Sequence, residues 1–412
     1  MKSLSFLLLT VLFTTLQTHA ADIKEVEMFG YARAGVGTNT FGGDQECFFN
    51  QGTGTNNFRL GNECSNYLEI ATKFNAVKGE TKKAFTQFRI SNSSLGRDTY
   101  ESQEPDISFV EAFAEMQGMT EKPWSFWIGK KFYRDQDVYM DDYYYFGNMS
   151  GNGGGMGNID LLGGKLSLAY LRKVSDTKTT VGYQGITVYD ARLKEIKLSD
   201  NLKEHFWLAY GHAPESMNAT NGTRYLKSNG FILGTLFDYN LNNNGFNHFA
   251  IIFGTGLMNG FNLYGESLNT FGSIQTREKR MRLINHTTYD INEKWTFHST
   301  AEYERHLNGS DIADQWLSIG ARPIYRVTQN FHLVSEVGHN IVQNVGERHL
   351  TRITLAPQLG INESIWGRPV LRAFYTHSIW NDKNMSNIAQ NAPTYANKTN
   401  GGSFGVQMES FF

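Results

Sequence analysis

The residues best suited to chemistry lie in one short stretch, DQDVYMDDYYYFGN, at positions 135–148. Four aspartates and four tyrosines share this stretch. It is too polar for a core strand and too aromatic for an ordinary surface loop. Carboxylates accept hydrogen bonds from hydroxyl groups, and aromatic rings offer a flat apolar surface. Sugars present hydroxyls and apolar ring faces, so the pattern favours a protein that handles carbohydrate.

Signals for enzymatic catalysis are weak. The chain has no HExxH pattern, and its histidines are scattered singly. We interpret His298, His332 and His377 as strand residues at a wet surface. Asp141 and Asp142 are poorly placed as a glycosidase pair, because adjacent residues of an extended chain point to opposite faces. We expect no enzyme activity, cofactor or metal site. A barrel enzyme of the lipase or protease type, or a secreted β protein that binds or hydrolyses glycosides, stays open.

The N-terminus predicts export. Residues 1–20 read MKSLSFLLLTVLFTTLQTHA, with a lysine, an apolar core and small residues before the expected cleavage point. This pattern is typical of a secretory signal peptide, and it leaves 21–412 as the mature domain. The whole chain has a net charge of −2, which argues against a nucleic-acid partner.

The composition favours a chain made of strands. No apolar run after residue 20 approaches the ~18 residues of a transmembrane helix, and the mean hydropathy is −0.41. The chain nevertheless has 29 Phe, 20 Tyr and 41 Gly but only 7 Pro. Membrane β-barrels escape hydropathy scans because lipid-facing and lumen-facing residues alternate along each strand.

Alternation is the dominant local pattern. In KWTFHSTAEYER, at 294–305, rings and small residues alternate with threonine, histidine and glutamate. Short turns such as DINEK separate some of these segments, and long Gly- and Asn-rich loops separate others. The chain ends on Phe412 in FGVQMESFF, which fits a closing barrel strand. The sequence therefore predicts an outer-membrane barrel.

Strand parity also assigns faces. Three rings share a face with charged side chains: Tyr31 with Arg33, Tyr67 with Glu69, and Phe411 with Glu409. Barrel aromatics usually face lipid at the membrane interfaces. Rings on the lumen side therefore line a functional surface or merely fill space, and parity alone leaves both interpretations open.

Several segments resemble the maltoporin family of sugar-specific outer-membrane channels. They include MFGYARAGVG, FRLGNEC, WIGKKFYRDQDVYMDDYYYFGN, SIWGRP and SFGVQMESFF. The match is strongest over 28–170 and 350–412. The resemblance implies an 18-stranded antiparallel transmembrane β-barrel with an inward-folded third loop, which assembles as a homotrimer. It also implies facilitated diffusion of maltose, maltodextrins or related oligosaccharides, with a periplasmic sugar-binding protein as a candidate partner.

The resemblance implies two sets of site residues. A line of rings along which sugars slide would contain Tyr31, Tyr67, Phe246, Trp366 and Phe411, with Tyr100 where the family has a tryptophan that reaches in from the neighbouring subunit. A charged constriction would contain Arg33, Glu69, Asp137, Asp142 and Tyr144.

Two positions depart from the family. Val110 and Asp135 stand where it has arginines, although Arg134 is adjacent to the second position. We expect two donors to be lost or moved and an extra acid to enter the pore, which would make the pore wider, more cation-preferring or tuned to a different sugar. The identity of the sugar is correspondingly open.

Cys47 and Cys64 are the only cysteines. The exported context favours a disulfide, although two free thiols stay open as the alternative. In the resemblance, this disulfide ties down the first external loop. We expect transport to survive its removal, because the barrel wall does not depend on that loop.

Overall fold

The computed structural model describes residues 25–50, 58–95, 106–173, 185–217, 224–225, 227–241, 245–263, 278–307, 313–344 and 346–412. The expected signal peptide and Tyr100 lie outside these ranges. The described chain is mostly strand, with one four-residue helix, Met385–Ile388, and short 3-10 turns. No helix in the described part is long and apolar enough to cross a membrane.

Eighteen strands of the described residues form one sheet. They are β1 (Glu25–Asn39), β2 (Ser65–Lys78), β3 (Lys83–Leu95), β4 (Asp106–Gln117), β5 (Ser125–Lys131), β6 (Gly151–Leu161), β7 (Gly164–Lys173), β8 (Ile186–Lys197), β9 (Leu202–Ala213), β10 (Ser228–Leu241), β11 (Gly245–Thr255), β12 (Lys279–Asp290), β13 (Trp295–Leu307), β14 (Ala313–Arg326), β15 (Phe331–Asn344), β16 (Gly346–Leu359), β17 (Val370–Trp380) and β18 (Asn400–Phe411). A two-stranded pair, Ser216–Met217 with Arg224–Tyr225, lies outside this sheet.

The sheet closes on itself. Each strand pairs antiparallel with the next in sequence, and β1 also pairs with β18. The closing register sets Tyr31 opposite Phe411 and Arg33 opposite Glu409. Closure removes the unpaired edges that an open sheet would expose. The predicted 18-stranded antiparallel barrel is confirmed.

The wall is polar inside and apolar outside. On β13, Thr296, His298 and Glu302 are buried toward the lumen, whereas Trp295 is exposed on the outer face. Large apolar side chains are exposed on other strands too: Met28, Val36, Leu68, Leu208, Leu233, Ile353, Leu355 and Val406. This alternation is the one that a wall facing lipid requires. The two faces predicted from parity for β1 and β18 are confirmed.

The third loop, residues 132–150, folds into the barrel. Tyr145, Phe146 and Met149 are buried against the inner wall. The Arg282 guanidinium on β12 donates a hydrogen bond of 3.2 Å to the Tyr145 carbonyl. The stretch of aspartates and tyrosines is therefore an internal loop, as predicted.

The first loop also enters the lumen with its residues 58–64. The Phe58 ring fills the space above Gly320, where any Cβ would lie 2.0 Å from it. The Phe58 amide donates to the Asp141 carboxylate (3.1 Å), and the next amide, that of Arg59, donates to the Met140 carbonyl (2.9 Å). The first loop thus supports the third loop at the level of the constriction.

Cys47 and Cys64 form the predicted disulfide, with Cα atoms 5.9 Å apart. The bridge closes the part of the first loop that holds Phe58 and Arg59. That transport survives removal of this disulfide stays a prediction, but the loop that the disulfide closes contacts the third loop through Phe58 and Arg59.

We therefore expect the double variant Cys47→Ser/Cys64→Ser to keep an intact barrel but to bind solutes in the pore less well. A disulfide that closes a loop of about 15 residues stabilises the folded loop relative to the unfolded loop by roughly 3 kcal/mol, because it lowers the entropy of the unfolded loop. Single-channel recording should show noisier current and weaker solute block than in the parent. Treating the parent with reductant should reproduce the change, and the variant itself should not respond to reductant. Unchanged block and noise would contradict this coupling.

Candidate functional site

A cavity of about 540 Å³ lies inside the barrel beside the third loop. Residues of both inward-folded loops and of strands on one side of the barrel line it. Nine predicted site residues meet there: Tyr31, Tyr67, Trp366, Phe411, Arg33, Glu69, Asp137, Asp142 and Tyr144. Phe246 lies outside this lining, and Tyr100 lies outside the described residues.

Three of the rings form a continuous contact along the wall. The ring centroids of Tyr67 and Tyr31 are 6.0 Å apart, and those of Tyr31 and Phe411 are 5.0 Å apart. The barrel register creates this contact, because β1 lies between β2 and β18 and each ring points inward. We call Tyr67, Tyr31 and Phe411 the upper lane.

Trp366 and Phe246 are connected through a ring that the sequence analysis did not assign. The Tyr139 ring on the third loop lies 4.5 Å from Trp366 and 6.2 Å from Phe246, measured between centroids. Trp366 lies in the turn between β16 and β17, and Phe246 lies at the start of β11. Trp366, Tyr139 and Phe246 form the lower lane. Tyr139 belongs to the stretch of aspartates and tyrosines at 135–148, so the composition of that stretch could have identified it as a site residue.

Charged groups accompany the upper lane. The Tyr31 hydroxyl donates to Glu409 (3.1 Å) and accepts from the Arg59 guanidinium (2.6 Å). Arg59 also pairs with Glu63 at 2.9 Å, and Glu409 pairs with Arg372 at 2.6 Å. A hydroxyl group of a solute beside the upper lane would therefore lie next to several hydrogen-bond donors and acceptors. Arg59 was missed, because only the path of the first loop brings it to the wall.

A neighbouring strand supplies a guanidinium close to Val110. Val110 lies at a register shift on β4, next to Glu111, which is opposite Arg89 on β3. Arg89 lines the cavity and pairs with Glu111 (2.7 Å) and Glu69 (2.9 Å). Glu69 also accepts a hydrogen bond from the Tyr67 hydroxyl. The donor expected to be lost at position 110 has a counterpart at Arg89.

The expectation that Asp135 adds an acid to the pore is wrong. Its carboxylate pairs with Arg192 (2.6 Å) and Lys194 (2.5 Å) on β8 and lies outside the lining of the main cavity. These two cations hold the pKa of Asp135 below its usual range. Asp135 anchors the third loop to the wall and adds no free negative charge to the pore.

Arg134 instead points into the cavity. Its guanidinium carbon lies 4.1 Å from the Phe132 centroid and 4.2 Å from the Tyr144 centroid, so two rings hold the cation. Six other arginines line the cavity, each within 4 Å of a carboxylate: Arg33, Arg59, Arg89, Arg322, Arg368 and Arg372. Among the described residues, Arg134 has no such partner, and its donors are available to a solute.

Two acids of the third loop face the same space. Asp142 lies 3.8 Å from Arg59, and Asp137 lines the cavity nearby. Burial, together with repulsion from Asp142, raises the pKa of Asp137 to about 6. The Asp137 carboxylate is therefore ionised at neutral pH and gains its proton in mildly acid solution.

A model of the LamB porin family matches residues 26–412. The chain belongs to the LamB porin family. The resemblance to maltoporins is confirmed, and the protein is an outer-membrane β-barrel channel. Because the match covers nearly the whole barrel, it applies to the cavity and both inward-folded loops.

Solved porins show a more distant likeness. The DcaP channel of Acinetobacter baumannii is 10% identical, with 94% of this chain and 97% of that chain covered and a TM-score of 0.49. An anion-selective porin from Comamonas acidovorans is 10% identical, with 94% and 99% covered and a TM-score of 0.47. The trimer form of OmpT from Vibrio cholerae is 9% identical, with 94% and 99% covered and a TM-score of 0.42. At these scores the likeness carries no weight for function or assembly.

We expect the cation preference of this channel to fall as the pH decreases through about 6. A carboxylate near the constriction attracts cations, and Asp137 loses its charge there, whereas an aspartate with an ordinary pKa near 3.9 stays mostly ionised at about pH 5. Reversal potentials in a salt gradient, at about pH 7.5 and about pH 5, measure the change.

The matched control is Asp137→Asn, which should show lower cation preference at about pH 7.5 and a smaller change with pH. A parent channel with the same reversal potential at both values would contradict this role of Asp137.

Proposed function

We propose that this outer-membrane channel carries neutral oligosaccharides of the maltose and maltodextrin type by facilitated diffusion. The observation that carries the proposal is that the aromatic rings of the two lanes lie beside ion-paired side chains along the cavity. Sugar rings would stack on the upper and lower lanes while their hydroxyls exchange hydrogen bonds with neighbouring charged groups. Each C–H face finds an apolar surface, and each hydroxyl finds a partner.

The charge balance supports a neutral solute. Seven described arginines line the cavity. The carboxylates that line it or pair with them are also seven: Glu63, Glu69, Glu111, Asp137, Asp142, Glu336 and Glu409. Balanced charges create little net field along the path. Such a wall offers strong local hydrogen bonds but no large attraction for a charged substrate.

We propose that the third loop provides the most direct contacts. Arg134 can donate through both arms of its guanidinium to adjacent hydroxyls, and Asp137 and Asp142 can accept from others. The other lining arginines are already paired with carboxylates and would hold the wall in shape. The moved donor at Arg134 thus takes the place of the one absent at position 135.

The assembly is part of the same proposal. The family resemblance supports a homotrimer of three separate pores in the lipid of the outer membrane, with Tyr100 reaching a neighbouring pore. It also supports transfer of the cargo to a periplasmic sugar-binding protein. Gel electrophoresis of the unheated protein tests the trimer, and we expect a band near three times the monomer mass. A protein that migrates as a monomer and still conducts ions in bilayers would contradict the trimer.

Replacing Trp366 with alanine should weaken sugar block of the ion current more than it changes the current itself. Loss of a stacked indole should cost about 1–3 kcal/mol, by analogy with base stacking on aromatic side chains, which is roughly five- to a hundredfold in the half-blocking concentration. Small ions do not stack, so the open-channel conductance should hold or rise slightly. Planar-bilayer recording with a maltodextrin series measures both quantities.

Trp295→Ala is the matched control for Trp366→Ala. Trp295 is 41% exposed and Trp366 is 44% exposed, but Trp295 faces outward. The control should insert and be blocked like the parent. Equal block in all three channels would show that Trp366 is not on the sugar path, and a parent that no sugar blocks would contradict the proposed function.

Arg134→Gln should weaken sugar block by about tenfold or more. A hydrogen bond to a charged group contributes about 1.5–3 kcal/mol, and 1.4 kcal/mol corresponds to tenfold. Arg134→Lys keeps the charge but loses the planar fork, so it should fall between the parent and the glutamine variant. Titration of block by one sugar compares the three channels. Arg172→Gln, at an exposed arginine outside the cavity, should match the parent. A glutamine variant at position 134 that is blocked as well as the parent would exclude a sugar contact.

A further inference from the structure

Two glycines of the inner wall lie opposite each other beneath the first loop. Gly320 on β14 and Gly338 on β15 are direct register partners, and a Cβ on either one would overlap the Phe58 ring. Phe58 is only 1% exposed, so its ring fills the space that two side chains would otherwise take. A glycine inside a strand weakens the strand and often marks a place where another part of the chain approaches closely. We call Gly320 and Gly338 the glycine socket.

The backbone at Phe58 is held in an unfavourable conformation. Its φ of 42° lies in the left-handed region, which bulky residues seldom adopt. Such a conformation persists only where the surroundings determine it, and it is typical of functional sites. The third loop fixes the amides of Phe58 and Arg59, and the Glu336 carboxylate on β15 accepts from the Leu60 amide (3.0 Å). Ring and backbone contacts together fix this point of the first loop.

The residue after Phe58 reaches a different part of the wall. The Arg59 guanidinium donates to the Tyr31 hydroxyl on β1 (2.6 Å) and pairs with Glu409 on β18 (3.1 Å). It also lies 3.8 Å from Asp142 of the third loop. Because Phe58 and Arg59 are adjacent in the chain, a shift of the ring on β14 and β15 would also move the guanidinium.

We propose that Phe58 is a positioning residue, which sits in the glycine socket and holds Arg59 where its guanidinium orients the Tyr31 hydroxyl and the Glu409 carboxylate. This proposal rests on the proposed function of the channel. Arg59 lines the cavity and Phe58 does not, so the ring acts on a solute through Arg59. A solute hydroxyl beside the upper lane then meets groups that are already oriented, and less freedom is lost on binding.

A double-mutant cycle separates positioning from simple packing. Phe58→Leu shortens the side chain in the socket, Arg59→Gln removes the guanidinium, and a third channel carries both changes. Two quantities are measured in planar bilayers: block of the ion current by maltodextrins, and the reversal potential in a salt gradient. The second measurement uses ions alone, so it does not depend on which solute the channel carries.

Phe58→Leu should weaken maltodextrin block roughly three- to tenfold, the range for one lost hydrogen bond. Arg59→Gln should shift the reversal potential toward cation preference, because Glu63 and Glu409 lose a positive partner. Phe58→Leu should shift it in the same direction by a smaller amount. The double variant should match Arg59→Gln in both measurements, because the ring then has no guanidinium to position.

The socket allows the same test from the wall. Gly338→Ala adds one methyl group beneath the ring and should reproduce the loss of block seen in Phe58→Leu. Gly360→Ala is the matched control, because a Cβ there would lie 3.7 Å from its nearest contacts, and it should be blocked like the parent. The cycle at positions 58 and 59 decides the matter if Gly338→Ala does not fold.

The positioning role is wrong if Phe58→Leu matches the parent in both measurements. It is also wrong if the effects of the two substitutions add in the double variant, because the ring would then act independently of Arg59. A parent channel that no sugar blocks would contradict the proposed function, and the reversal potentials of the same four channels would still decide the role of Phe58.

Discussion

The pore depends on one buried ion-pair cluster that holds the third loop inside the barrel. Arg192 on β8 pairs with Asp190 (2.9 Å) and with Asp135 of the loop (2.6 Å). The Tyr133 ring covers the guanidinium, and the Trp207 indole donates to Asp190 (2.7 Å). A buried charge is costly unless it is paired and hydrogen-bonded, so removing one member would leave the others strongly destabilised. The cluster therefore fixes where the loop leaves the wall.

The same anchoring makes the lumen asymmetric. On the anchored side, apolar residues of β7–β12 point inward and pack against the loop, including Leu171, Val188, Trp207 and Ile252. That side resembles the core of a soluble protein and leaves little room for water. The open path is therefore displaced toward β1–β3 and β13–β18, where the wall is rich in arginine and glutamate. One loop thus separates a packing surface from a transport surface within a single barrel.

The barrel and part of its inner surface were predictable because a strand has a period of two, whatever surrounds it. Parity placed Tyr31, Tyr67 and Phe411 on the inner face before any partner strand was known. Positions that depend on loop paths were not predictable in this way. Arg59 and Tyr139 reach the cavity only because two loops fold inward, over contacts between residues far apart in sequence. The prediction that Asp135 adds an acid to the pore was wrong for the same reason, because its two cationic partners lie far away in sequence, on β8.

Predictions from the family resemblance hold on some strands and fail at two positions. Those two positions mark the part of the pore wall in which this chain differs from the family. Family positions on β1, β2 and β18 keep their places on the inner wall because the closing register constrains them. The two departures, at Val110 and Asp135, lie next to guanidinium groups that reach the cavity from other backbone positions, Arg89 and Arg134. A hydrogen-bonding wall can tolerate such shifts, because a solute that slides along it needs a donor within reach more than a donor at one fixed atom. The two donors are held differently: Arg89 is fixed between two carboxylates, whereas the contacts of Arg134 with the described residues are the faces of two rings, and its guanidinium faces the cavity.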